Sequence, residues 1–163
     1  MADRTRGILT YEKSPGHMAK DLRPAVAVGL GTAVETWHAD YTARHFVAAA
    51  ESRYGYKRRG YRYTHNKLRA YGHRLPLVES GESRRMIRAF VAIVKSPRQA
   101  RAIMRAPGYF YKKASAKNPN QPDKVAELTA TTQRELLELA QVNADAITAH
   151  LDTLTDKETR TLP

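Results

Sequence analysis

Cysteine is absent from this chain of 163 residues, which excludes disulfides, thiol catalysis and cysteine-ligated zinc. Long apolar runs are absent too. No stretch approaches the roughly 18 residues needed to cross a bilayer, and the opening MADRTRG has no apolar signal region. A soluble protein with no membrane partner and no cleaved export signal is expected. Trp occurs once and Phe three times, against nine Tyr. Acid is scarce where base is dense. Residues 44–117 hold 19 basic and three acidic side chains, residues 1–43 five of each, and residues 118–163 four basic and eight acidic. The net charge of +12 therefore resides in the middle of the chain. Such asymmetry points to faces that meet partners of opposite sign, or a neighbouring copy.

The length suits a single domain over 1–163 with a modest core. Residues 1–20 read as an N-terminal strand or arm, with a short strand at GILTYEK (7–13) ended by the turn signal Ser14-Pro15-Gly16. Asp21 offers an N-cap and Pro24 suits a first turn. Val26, Leu30, Val34, Trp37, Tyr41 and Ala48 then recur at helical spacing, which predicts one long helix over 24–54, stopped by Gly55. Gly29 and Gly31 each cost such a helix about 1 kcal/mol relative to Ala, so either another element packs closely there or the helix begins late.

Residues 55–83 read as an extended, basic and aromatic arm, with at most a turn or two of helix at 65–71 ending at Gly72. RMIRAFVAIV (85–94) fits both a helix face and a strand face. The turn signal Lys95-Ser96-Pro97-Arg98 and the alternation that follows favour a hairpin over 85–106, with a further short strand at Tyr109–Tyr111. KNPNQPD (117–123) reads as a loop. Thr132 and Glu135 match a capping box, opening a C-terminal helix over 132–154 whose apolar face is Leu136, Leu137, Ala140, Ala144, Ile147, Leu151 and Leu154, with a frayed end. The expected class is α+β: a small twisted antiparallel sheet, a long N-terminal helix packed on it, an extended basic arm and a C-terminal helix. Its expected core is Val34, Trp37, Tyr41, Ile87, Val91 and Ile93.

Catalytic signals are weak. GLGTAV (29–34) has no strand before it and fails as a dinucleotide loop. His17, His38, His45, His65, His73 and His150 form no HExxH motif and no i,i+4 pair on a helix. Ser80 lacks a nucleophile elbow, and Glu79 and Glu82 suit ion pairs with nearby arginines better than acid–base work. No enzyme, metal or cofactor is expected.

The densest signal is YGYKRRGYRYTHNKLRAYGH (54–73), which holds five of the nine tyrosines and no acid. Three readings are open. Lys and Arg can neutralise phosphates while Tyr stacks on bases, with Arg58, Arg59 and Arg62 as DNA contacts, giving a nucleic-acid-binding module without sequence preference. Tyr and Arg can anchor a protein interface. The segment can also be a solvated loop.

The order YGYKRR, then RYxxxKLRAYGH, then LPLVESG resembles the tail-completion and virion-morphogenesis proteins of tailed bacteriophages. The matching positions are Tyr54, Gly55, Tyr56, Lys57, Arg59, Tyr63, Lys67, Gly72, His73, Pro76, Leu77, Val78, Ser80 and Gly81. Many relatives carry proline where this chain has Arg58, and leucine often follows their Ser-Gly, where this chain has Glu82. The resemblance implies a non-catalytic structural protein of the neck, or of the end of the tail nearest the head. Its copies would form a ring, with six expected, between a portal-side adaptor or connector and the tail tube. DNA would pass through the channel. The location implied is the virion, reached from the host cytoplasm during assembly. The interface residues expected on this reading are Tyr54, Tyr56, Lys57, Arg58, Arg59, Tyr61, Arg62, Tyr63, Lys67 and His73. They would meet acidic residues of an adjacent copy's C-terminal region, Glu127, Glu135, Glu138 and Asp145.

Overall fold

The computed structural model describes residues 15–79, 81–89, 92–112 and 121–159. The expected strand at 7–13 lies outside these residues, as do Ser80 and Val91. The class is α+β, as expected: a long N-terminal helix, a two-stranded antiparallel sheet and a long C-terminal helix.

Helix α1 spans Pro15–Thr36. It begins earlier than the sequence suggests, because Pro15 serves as a first helical residue, where its missing N–H has no intrahelical partner to lose. Asp21 is therefore no cap, and Pro24 lies inside the helix. The expected single helix to residue 54 is also broken. After Thr36 the chain widens into a π turn, Trp37–Tyr41, then tightens into a 3₁₀ turn, Thr42–Phe46. Val47 is extended, and the short helix α2, Ala50–Arg53, follows. This change of helical pitch places Tyr41, Thr42, His45 and Phe46 all inside the protein.

The glycines of α1 are explained by close packing. The helix runs along the C-terminal helix α6, Gln133–Thr159, and across both strands of the hairpin. A Cβ at Gly29 would come within 2.7 Å of the Asn143 carbonyl oxygen and of Ile147 on α6, and one at Gly31 within 2.8 Å of the Lys95 side chain. Backbone at that distance cannot move aside as a side-chain tip can. The most buried positions of this helix are consequently the small ones, Ala25, Gly29 and Gly31, while Val26, Leu30 and Val34 are only half-buried. On α6 the packed face runs through Glu135, Leu139, Val142, Asn143, Ile147 and Leu151. Leu136, Leu137, Ala140 and Ala144, expected on it, face outward.

The segment 55–83 is more ordered than expected. Helix α3 spans Tyr61–Tyr71 and ends in the left-handed Gly72, at φ 73°, as the Gly-His ending suggested. Helix α4, Glu82–Ala89, replaces the first half of the expected hairpin. Ser83 and Ile87 are buried four residues apart, so helical spacing prevails over the strand alternation that Ile87 and Ala89 also fit. The hairpin itself is real but shorter. Strands β1, Ala92–Ser96, and β2, Gln99–Ile103, pair antiparallel around Pro97-Arg98, and Ser96 Oγ accepts from the Arg98 and Gln99 amides. Gly108–Tyr111 is a 3₁₀ turn rather than a strand, closed by the Phe110 amide on the Pro107 carbonyl.

Helix α5, Lys124–Leu128, is capped by Asp123, which accepts from the Val125 and Ala126 amides at 3.0 Å each. It occupies the place just after the expected loop. The capping box at the start of α6 forms as expected. Thr132 Oγ1 accepts from the Glu135 amide at 3.2 Å, and Glu135 accepts from the Thr132 amide at 3.0 Å.

The main core is not the expected one. Phe46, Ala50, Tyr56, Leu77, Val78, Ile87, Phe110 and Leu128 form one buried cluster, contributed by short elements and loops. Of the expected core only Tyr41 and Ile87 are buried. Val34, Trp37 and Ile93 are half-buried. The LPLVESG motif belongs to this cluster. Leu77 and Val78 are buried in it, and Ser83 Oγ holds the Leu77 carbonyl at 2.8 Å. Leu77 itself has φ 55°, a left-handed conformation costly for a leucine and tolerated where the surroundings over-determine it.

Candidate functional site

The basic, aromatic stretch is divided between the interior and the surface. Tyr54 stacks on His45 with ring centroids 4.0 Å apart and 13° between planes, and its hydroxyl donates to Glu135 Oε1 at 2.8 Å. Burial, and then Glu135, push the Tyr54 hydroxyl up to about 12. Tyr56 is buried against His45, its hydroxyl on Nδ1, and burial raises its pKa strongly. Arg59 makes a two-pronged ion pair with Glu127 on α5, both side chains about nine-tenths buried. Burial opposes the guanidinium's charge, but Glu127 outweighs it and holds the Arg59 pKa above its usual value. Lys67 is buried and donates to the Leu75 carbonyl, and burial lowers its pKa to about 8. His73 accepts from the Leu75 amide through Nδ1 at 3.3 Å, so it shapes the loop that enters the core.

The acidic residues expected to receive a neighbour's arm are engaged within the same chain. Glu135 accepts from Arg44 at 3.2 Å as well as from Tyr54 and Thr132. Burial works against its charge, and these hydrogen bonds more than offset it, leaving its pKa below the usual carboxylate range. Glu138 accepts from Tyr41 at 2.5 Å and from Arg134 at 2.8 Å. Asp145 accepts from Gln141 at 2.7 Å. Part of the complementarity between the basic middle and the acidic C-terminal part is therefore intramolecular, through Arg59–Glu127 and Arg44–Glu135. It ties residues 54–59 to α5 and to the start of α6.

What remains outside is a smaller set. Lys57, Arg58 and Arg62 are exposed, and no carboxylate lies within ion-pair distance of them among the described residues. Tyr61 is 80 % exposed and Tyr63 42 %. Residues 57–60 and Tyr63 form one wall of a cleft of about 680 Å³. The other wall is Lys112, Gln121, Pro122 and Lys124, which sequence reasoning missed. Lys112 and Lys124 lie more than fifty positions from Lys57, and nothing in local spacing announces their approach. Lys124 is held by Glu79 at 3.5 Å and lies over the Tyr109 ring at 4.2 Å from its centroid. Of the expected DNA contacts, Arg58 reaches this cleft free, Arg59 reaches it already paired, and Arg62 does not line it.

His45 provides a test of the buried half. Burial lowers its pKa to about 4, with nearby Glu135 working in the opposite direction. The folded protein thus keeps a neutral imidazole where the unfolded chain, titrating near 6.5, takes up a proton. This contribution is complete above pH 6.5 and is lost as pH falls toward about 4, by up to about 3 kcal/mol. Urea melts of wild type and His45→Gln between pH 7 and pH 4 are expected to converge as the pH falls. Parallel curves would contradict the assignment.

No protein-family model, curated protein or solved structure matches this chain.

Proposed function

We propose that this chain is a structural protein of a tailed-bacteriophage virion, at the neck or at the head-proximal end of the tail, whose copies close into a ring. The Tyr54–Gly81 pattern supports the phage reading. The structural observation that carries self-assembly is the hairpin. Among the described residues its two strands pair only with each other, so within them each keeps one unpaired backbone edge. Its outer face presents Val94 and Ile103, both more than half exposed, on the side away from α1. A two-stranded sheet is marginal by itself, and an open edge with apolar side chains is a template for a further strand. Leu136 and Leu137 on α6 add a second exposed apolar surface.

In this reading each copy's hairpin is covered by its neighbour, and a ring of six joins a portal-side adaptor to the tail tube. Assembly proceeds in the host cytoplasm and no catalytic step is involved. The docking contacts are those left outside, Lys57, Arg58, Tyr61 and Arg62, rather than the whole of 54–73. Charge there sets register and association rate more than affinity.

Native mass spectrometry and negative-stain microscopy test this directly. Wild type is expected to form closed rings in a concentration-dependent manner. The double variant Val94→Lys, Ile103→Lys is expected to stay folded by circular dichroism but monomeric, since both positions are exposed. A wild-type protein that remains monomeric at its highest soluble concentration overturns the reading.

A further inference from the structure

We infer that the cleft between residues 57–63 and 121–124 is a binding site for single-stranded nucleic acid, with the backbone phosphates on Lys57, Arg58 and Lys112 and a base on Tyr63. The cleft is lined by five cationic side chains, Lys57, Arg58, Arg59, Lys112 and Lys124, and by no carboxylate among the described residues. Two of the five are already neutralised from behind, Arg59 by Glu127 and Lys124 by Glu79. Those pairs fix the walls, because they anchor residue 59 to α5 and residue 124 to the loop that enters the core. Lys57, Arg58 and Lys112 are exposed and have no ion-pair partner among the described residues, so their charge is available to an incoming anion.

The remaining lining decides which anion. An acidic peptide is held chiefly by apolar anchors in fitted pockets, with charge at the rim. Among the described residues that line it, this cleft has no aliphatic side chain larger than Pro122 and one aromatic, the half-exposed Tyr63. A ring beside a row of point charges suits a chain that repeats a phosphate and a flat base. The volume, about 680 Å³, accommodates a nucleotide or two of such a strand. Duplex DNA fits less well, since its bases are stacked away from a side chain at the backbone.

The site differs from the one the sequence suggested. It adds Lys57, Lys112 and Tyr63, gives Arg59 a supporting role and leaves out Arg62. It shares Lys57 and Arg58 with the docking contacts of the proposed ring, and the two roles are read separately, because ring formation is followed by mass in the absence of nucleic acid.

Fluorescence anisotropy with labelled oligo-dT of about a dozen nucleotides, a length within the usual range of such grooves, provides the test. The triple variant Lys57→Ala, Arg58→Ala, Lys112→Ala is expected to bind at least about tenfold more weakly. Its log–log salt slope should be shallower by about 2, at about 0.7 per lost phosphate contact. Tyr63→Ala should weaken oligo-dT binding and leave binding of an abasic oligomer of the same length unchanged. Arg62→Ala, outside the cleft, should change little. Any of three results overturns the site: no binding by wild type, an equal loss in Arg62→Ala and in each cleft variant, or poly-glutamate of equal charge binding as tightly as oligo-dT. Thermal melts of the triple variant should match wild type, since none of the three cations removed has an ion-pair partner among the described residues.

Discussion

Arg59→Ala is expected to lower unfolding stability by roughly 3–5 kcal/mol, the loss typical when one partner of a buried ion pair is removed. The cost arises at the other partner. Glu127 is buried at the start of the C-terminal part of the chain, and without Arg59 its carboxylate keeps, among the described residues, the Lys57 amide at 3.3 Å. Arg59→Lys should recover only part of the loss, because an ammonium cannot reproduce the two parallel bonds of the guanidinium fork. The paired replacement Arg59→Met with Glu127→Leu should recover most of it, since apolar side chains of similar volume need no charge compensation. Urea denaturation of the four proteins checks the series. If Arg59→Ala melts like wild type, the pair is not the tie between residues 54–59 and α5. The result also bears on assembly: reversing charge at residue 59 would damage the monomer, so docking is better probed at Lys57 and Arg58.

Phe110→Ala is expected to cost about 3–5 kcal/mol, comparable with the ion pair though of different origin. Phe110 is 1 % exposed and sits in a one-turn 3₁₀ element between Pro107 and the segment beyond residue 112. It belongs to a cluster whose other members come from six separate stretches of chain. Short elements hold little structure of their own, so the cavity would loosen the places where the stretches meet. A lower urea midpoint with a reduced denaturant slope is therefore expected, the slope reflecting a less compact native state. An unchanged midpoint would mean that the cluster can close over the gap. The same experiment at Val94 should give almost no change in the monomer, because that side chain has nothing to lose until a neighbour covers it.

Several features were legible in the residues themselves. The capping box at Thr132 and Glu135, the left-handed glycine at 72 and the turn at Pro97-Arg98 are local chemistry, and each depends on side chains within a few positions of one another. The two α1 glycines announced a close approach, though not to what. The Ile87 region was ambiguous for a definite reason. Its apolar residues satisfy both periods, and only the burial of Ser83 beside Ile87 selects the helix. The choice among the leucines of α6 was likewise invisible, because a helix with apolar residues on much of its circumference takes its inward face from the neighbour it meets.

The candidate site shows the same division. Composition alone established that base is concentrated in the middle of the chain and acid toward its end, and that tyrosine gathers among the basic residues. Charge by itself carries no address: an arginine that attracts a carboxylate is indifferent to whether that carboxylate belongs to its own chain, a neighbour or a phosphate. Only the tertiary structure brings Glu127 to Arg59 and Glu135 to Tyr54, because α5 and the start of α6 return to the 54–59 segment across some seventy to eighty residues. That return consumes part of the basic stretch internally and leaves Lys57, Arg58 and Lys112 facing one cleft. Local sequence could specify the turns and caps, since their energetics act over a few residues. Which charges are buried and which stay free was decided by long-range packing.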